Sequence, residues 1–242
     1  MEKIVQLSDL IRQTLIKELT EGIYRDKVRL PPERDIADQL GVSRTVLRDA
    51  LASLEREGFI SRKQGVGTIV NRHVLEVKTR MDLEEEFLAM IMKAGKIPKT
   101  VFCHTTIEKA DSETAKRLHI SPDDLIFQVV RLISANKEPA IYCIDRFACS
   151  LIKTKDYDIK VLKEPIFTFI EAYCDTEVYM DLTEVRAVAA TEELADAMKV
   201  PVGSPLLHMN EIGYDFQGKP ILSSLEYYKD QILNHTVLRK KI

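Results

Sequence analysis

The chain has 242 residues, 45% of them hydrophobic and 30% charged, with a formal net charge of −3. This is the composition of an ordinary soluble globular protein with apolar residues for one large or two modest cores. It contains no apolar run of about eighteen residues, which excludes a transmembrane helix and any expected membrane partner. The amino-terminal stretch MEKIVQLSDLIRQ is charged and amphipathic, without a signal peptide's apolar stretch and cleavage site, so a cytoplasmic protein is expected. Four cysteines (Cys103, Cys143, Cys149 and Cys174) show no CxxC and no clustering with histidine. They read as reduced thiols, and neither a metal site nor a disulfide frame is expected. Residues 1–72 carry 13 Lys and Arg against 11 Asp and Glu, a net of +2, and the remainder carries 22 against 27, a net of −5. A slightly basic head on an acidic body permits nucleic-acid binding by the head.

In chain order, Leu7, Leu10, Ile11, Leu15 and Leu19 fall at helical spacing, and Gly22 ends that helix. Residues 24–30 read as a short basic linker, and Pro31-Pro32 open a second helix whose buried stripe is Ile36, Ala37 and Leu40. Gly41 stops it. Ser43 is a good cap for a third helix with the core face Val46, Leu47, Ala50, Leu51 and Leu54, ended by Gly58. "FISRKQGVGTIV" then reads as strand, tight turn and strand, with the turn at Lys63-Gln64-Gly65-Val66.

Two short helices joined by a tight turn and followed by a hairpin form a winged helix-turn-helix. In such a module the first turn of the second helix enters the major groove of double-stranded DNA. Arg44 and Arg48 are four residues apart and share a face with Thr45. Arginine's planar fork matches the O6 and N7 acceptors of guanine. Alone, either arginine would read as a solvated surface charge; inside the whole pattern both read as DNA contacts. The stretch "LPPERDIADQLGVSRTVLRDALASLEREGFISRKQGVGTIV" resembles the DNA-binding domain of the GntR family of bacterial transcription regulators. By that resemblance Arg34, Ser43, Arg44, Thr45 and Arg48 lie where the family meets DNA, and Gln64-Gly65 form the wing tip, which dips toward the minor groove. Pro32, Val46 and Asp49 stand where serine, a second threonine and glutamate are usual, and the loss of a hydroxyl at Val46 implies a shifted operator preference.

Beyond Asn71 the chain reads as an extended charged linker, followed by a helix with Leu83, Phe87, Met90 and Ile91 that ends near Gly95. Val101, Cys103, Thr105 and Ile107 alternate as in a strand. "LIFQVVRLISANKEPAIYCIDRF" reads as a hairpin turning at Asn136-Lys137, and "PLLHMNEIGYDFQGKPILSSLEYY" as another turning near Gln217-Gly218. Short helices are expected over 111–119, 166–173 and 191–199. No internal repeat is apparent. The expected architecture is α+β: the winged helix-turn-helix over 1–71, a linker and connecting helix over 72–94, and a domain on an antiparallel sheet over 95–242. No catalytic motif emerges, the five histidines are scattered, and neither a cofactor nor enzymatic activity is expected.

The stretches "RLISANKEPAIYCIDRF", "EPIFTFIEAYCDTEV", "VGSPLLHMNEIGYDFQGKPILSS" and "EYYKDQI" resemble, in order and spacing, the UTRA effector-binding domain that defines the HutC branch of the GntR family. Its fold is similar to that of chorismate lyase. The resemblance implies a ligand-controlled regulator, a repressor of a metabolic operon acting as a homodimer on an inverted-repeat operator. A DNA-tethered lyase-like enzyme and a constitutive DNA-binding dimer stay open as alternatives. By strand parity and this resemblance, Arg131, Ile133, Cys143, Leu222, Ser224, Glu226 and Tyr228 face the effector cavity, with Phe167 beside it. Ile133, Cys143, Leu222 and Pro165 stand where the sugar-phosphate-binding members carry polar groups. That implies a less polar effector with one anionic group met by Arg131. Two alternatives remain: Arg131 pairs internally with Glu226 or Asp145, or a two-residue alignment slip places Asp145 and Glu226 at the carboxylate positions of a sugar-like pocket.

Overall fold

The computed structural model describes residues 6–83, 85–154 and 156–240. The first five residues of the amphipathic amino-terminal stretch lie outside them. The chain divides into two compact units. Among the described residues, one runs to Lys78 and also takes residues 236–240; the other spans Thr79–His235. The expected boundaries at 71 and 95 therefore differ from this division, and residues 236–240 group with the first unit. No helix among the described residues is long and apolar enough to cross a membrane.

In the first unit, helices α1 (Leu7–Thr20), α2 (Glu33–Leu40) and α3 (Arg44–Arg56) bury Leu15, Leu19, Ile36, Leu47, Leu51 and Leu54 in one core. Gly41 closes α2 in the left-handed region, φ 66°, where a side chain is disfavoured. The Ser43 hydroxyl accepts from the Val46 N–H at 3.3 Å, which satisfies one of the free donors that begin α3. Strands β1 (Ile60–Lys63) and β2 (Gly67–Val70) form the wing.

Two parts of this unit differ from the expected linkers. Residues 24–30 join the wing: the Leu30 N–H donates to Thr68 and the Val70 N–H to Val28, while Tyr24 and Leu30 are buried. Past Asn71 the chain makes a helical turn, α4 (Arg72–Leu75), because the Arg72 guanidinium donates to the carbonyls of Leu19, Tyr24 and Lys27. At the other end of the chain, the Lys240 ammonium donates to the carbonyls of Glu55 and Arg56, the exposed end of α3.

The second unit is built on a six-stranded antiparallel sheet in the order β3-β4-β5-β8-β7-β6. The strands are β3 (Pro98–Lys109), β4 (Leu125–Ala135), β5 (Glu138–Ala148), β6 (Met180–Ala189), β7 (Pro205–Tyr214) and β8 (Pro220–Lys229). Helices α5 (Phe87–Lys93) and α7 (Ile166–Tyr173) pack on the face that carries Val129 and Ile133. Helices α6 (Ser112–Leu118) and α8 (Glu192–Met198) cover the face that carries Ile126 and Leu132. The hairpin between β4 and β5 turns on Asn136 and Lys137, φ 53° and 72°, the doubly left-handed geometry that matches strand twist.

This unit is an internal duplication, contrary to the sequence expectation of none. Cys103 pairs with Arg131 and Arg131 with Cys143 in the first half; Thr183 pairs with Glu211 and Glu211 with Ser224 in the second. The central pairs, Cys143 with Glu226 and Asp145 with Ser224, exchange under the same pseudo-twofold relation. Helices α6 and α8 match as well: Asp111 and Thr191 cap their starts, and His119 and Lys199 end them in the left-handed region. The two copies share this strand pairing and these helix ends but almost none of the paired polar residues, so the repeat is hard to see in one dimension. Strand β6, absent from the sequence reading, is an edge strand with no buried residue. Its apolar residues change parity after Leu182, which erases the alternation that marks a half-buried strand.

Candidate functional site

The first-turn residues of α3 stand clear of the core that positions them. Arg44, Thr45 and Arg48 are exposed, while Leu47, Ala50 and Leu51 are buried. Among the described residues Arg44 has no hydrogen-bond or ion-pair partner. Arg48 approaches Glu33 at 3.9 Å and Arg34 approaches Asp38 at 3.8 Å, both long, solvated contacts that contribute little. Thr45, Arg48, Asp49 and Arg62 line a shallow concavity of this unit. Arg62 is committed internally, to Glu55 at 2.8 Å and Glu33 at 3.8 Å. Val46 is half-buried and packs against the core. Gln64 and Gly65 are exposed at the wing tip; Gly65 has φ 78°, and open space lies where a Cβ would be. The glycine therefore serves the turn's conformation, not packing.

In the second unit, Arg131, Ile133, Cys143, Leu222, Ser224, Glu226 and Tyr228 share one face of the sheet, and all are buried. Arg131 is 3% exposed. Its Nη2 donates to Asp145 at 2.7 Å and its Nη1 to the Glu164 carbonyl at 2.8 Å; Asp145 also accepts from the Ser224 hydroxyl at 2.7 Å. Of the partners considered for Arg131, the fold supplies Asp145, while Glu226 accepts from the Tyr228 hydroxyl. The guanidinium lies over the Phe87 ring, 5.7 Å from its centroid. Its Nε is buried without a hydrogen-bond partner.

The face is richer in acids than the expected less polar pocket. The pseudo-twofold relation puts Glu226 where the first half has Asp145, and Glu211 where it has Arg131. The first half thus holds a buried cation with its carboxylate, and the second holds two carboxyl groups. Burial raises the Glu211 pKa, and Asp181 and Asp145 add to it. Burial also raises Asp181 to about 6 and pushes the Tyr228 and Cys143 groups up. Cys143 is consequently a small protonated filler. Glu211 accepts from the Thr183 hydroxyl at 2.7 Å.

A narrow cleft of about 10 Å³, room for about one water molecule, lies beside Arg131, lined by Glu86, Phe87, Thr100, Ile133, Lys163 and Pro165 among others. Of the effector-facing residues read from sequence, Arg131 and Ile133 reach it; Cys143, Ser224, Glu226 and Tyr228 lie on the sheet outside its lining. Leu222 and half-buried Phe167 sit in the apolar cluster around α7. Sequence reasoning missed Glu86, Thr100 and Lys163, which come from three separate segments and carry no motif.

Residues 7–70 match the model of the gntR family of bacterial regulatory proteins, and residues 93–232 match the UTRA domain. The chain is 26% identical over 235 residues, covering 96% of it and 93% of the relative, to the "Probable fructoselysine utilization operon transcriptional repressor" of Escherichia coli K12. It is 22% identical over 222 residues to the HTH-type transcriptional regulator GgaR of the same species, covering 91% of the chain and 86% of that protein. Among solved structures it is similar to the "possible transcriptional regulator YydK" of Bacillus subtilis, with a TM-score of 0.79 at 19% identity, covering 98% of this chain and 100% of that one. PhnF of Mycobacterium smegmatis gives a TM-score of 0.59 at 16% identity over 95% and 99% of the two chains. At such identities the structural likeness concerns the fold alone. The two domain matches in this order, with relatives that are transcriptional regulators over nearly their whole length, make the chain a member of the GntR family that carries a UTRA domain, a ligand-controlled DNA-binding transcription regulator.

Proposed function

We propose that the protein is a cytoplasmic, homodimeric repressor of a metabolic operon, released from an inverted-repeat operator by a small-molecule effector and without catalytic activity of its own. The observation that carries the DNA reading is the set Arg44, Thr45 and Arg48 at the start of α3, with Arg34 at the start of α2, all exposed with little or no internal pairing. Ser43 adds the helix start, where free N–H groups favour a phosphate, and Gln64-Gly65 reach the neighbouring groove. Dimer formation is supported by β6, an unpaired sheet edge exposing Met180, Leu182 and Val185, which isolated proteins rarely leave open.

The effector reading is supported by the buried polar face around Arg131, Asp145, Ser224, Glu226 and Tyr228, together with Ile133, Cys143, Leu222 and Phe167. Its stock of acceptors suits a ligand bearing hydroxyl or amine donors more than the apolar acid expected from the sequence. Selection of bound duplexes from a randomised pool tests the DNA reading: an inverted repeat must emerge, and sequence-independent binding would refute it. A thermal-shift panel of sugar phosphates, amines and aliphatic or aromatic acids tests the effector reading. The stabilising compound must loosen operator binding and be recovered unchanged; a chemically altered compound would favour an enzyme, and no response to any compound a constitutive dimer.

A further inference from the structure

Residues 24–30 bring cations to the wing that the first turn of α3 does not account for. Arg29 forms an antiparallel bridge with Ile69, so a third extended segment lies beside β2. Register decides which way its side chain points. Ile60 pairs with Val70 and both are buried, so that face of the wing meets the core. Lys63 pairs with Gly67, and Arg29 with Ile69 two residues further on, so Lys63, Gly67, Ile69 and Arg29 share the opposite face. The Arg29 stem runs back toward the wing tip across Gly67. Its Cδ lies 3.6 Å, and its Nε 4.0 Å, from where a Cβ on Gly67 would be, and the bare glycine leaves that lane open. The Lys63–Gly67 pair closes the turn that carries Gln64 and Gly65, with the Val66 N–H donating to the Lys63 carbonyl at 3.0 Å. Two exposed cations thus flank one glycine directly behind the wing tip. Among the described residues neither side chain has a hydrogen bond or ion pair, whereas Arg62, on the core-facing side of β1, is held by Glu55 and Glu33.

We propose that Arg29 and Lys63 form a seat for one backbone phosphate, on the DNA strand that borders the minor groove entered by the wing tip. The inference rests on the DNA reading and adds to it a positioning contact from a segment outside both the helix-turn-helix and the hairpin. The minor groove of B-DNA is about 6 Å wide and walled by phosphates. When Gln64 and Gly65 enter it, the strand pair behind the tip stands level with that wall. An arginine fork and a lysine ammonium there gain charge-assisted bonds to phosphate oxygens and start from solvent, so they have little internal pairing to give up. The phosphate also relieves the repulsion between the two cations. It carries no base identity, so the contact fixes register and adds affinity without choosing sequence.

The salt dependence of binding counts such contacts: each neutralised phosphate contributes about −0.9 to the slope of log K against log salt. The full chain is titrated by fluorescence anisotropy with a random-sequence duplex and with a duplex recovered from the randomised pool, between about 50 and 200 mM salt. Arg29→Gln and Lys63→Gln should each weaken binding to both duplexes by the same factor. The double variant Arg29→Gln/Lys63→Gln should flatten the slope by about 0.9 for each DNA-binding unit engaged, the signature of one shared phosphate. Arg29→Lys and Lys63→Arg keep the charges and should keep the slope.

A double-variant change near 1.8 per unit would place the two cations on separate phosphates and overturn the shared seat. An unchanged slope would return both to the solvated surface. Unequal loss on the two duplexes would mean that a base is read, and a flattened slope in the charge-keeping variants would trace the effect to a damaged wing; either overturns the seat. Arg44→Ala separates this inference from the reading beneath it. If it weakens binding to the selected duplex while the double variant changes nothing, the seat alone fails; if neither changes anything, the DNA reading fails with it.

Discussion

The arginines of the two units show opposite uses of one side chain. Arg44 and Arg48 stand in solvent, the first without a partner among the described residues and the second 3.9 Å from a half-exposed carboxylate. Arg131 is buried, and Asp145, the Glu164 carbonyl and the Phe87 ring surround its head group. A solvated guanidinium loses little on leaving water for phosphate or a base edge, so its binding energy goes to DNA. A buried one has already been desolvated, and its charge is tied to the fold that compensates it. Mutating the first kind should therefore alter recognition and leave stability alone, whereas mutating the second should alter stability first.

The largest effect is expected at the buried pair. Asp145→Ala leaves Arg131 buried and charged without its carboxylate partner and removes the acceptor of the Ser224 hydroxyl. It should destabilise the second unit by about 3–5 kcal/mol. Chemical denaturation followed on the two units separately checks this; a loss below about 1 kcal/mol would mean that Arg131 reaches water.

Next come the exposed arginines. Arg44→Ala and Arg48→Ala should each weaken operator binding by about 1–3 kcal/mol if they make bidentate base contacts. The unfolding midpoint should stay within the small range usual for surface substitutions. Unchanged operator affinity in the folded variants would remove these residues from the interface and dissolve the contrast with Arg131.

The smallest effect sharpens the comparison at the wing. Gly65→Val meets no atom within 4 Å but must hold φ 78°. The conformational strain should amount to about 1–2 kcal/mol in the first unit. DNA affinity should fall and effector binding should persist, measured by operator titration and thermal shift on the same preparation. Equal loss of both would indicate general misfolding instead.

Local chemistry made the DNA-binding unit readable from sequence. Its helices are short, amphipathic and bounded by Pro32, Gly41, Ser43 and Gly58, so periodicity and caps locate them without reference to distant residues. The hairpin at Asn136-Lys137 and the helix at 166–173 were legible for the same reason. Alternation along a strand put Ser224 and Glu226 on one side of β8, because a strand's side-chain period is set by its backbone, while the family resemblance placed Arg131 and Cys143 on the same face as that pair. What lay across the sheet was not legible. The partner of Arg131 depends on the register between β4 and β5, the duplication depends on strand order, and Glu86 reaches the cleft only because α5 packs on the sheet. Caps, turns and side-chain periods involve a few neighbouring residues and are written in the sequence. Pairing of buried charges and the closing of a cleft join segments tens of residues apart, and only the tertiary structure decides which of them meet.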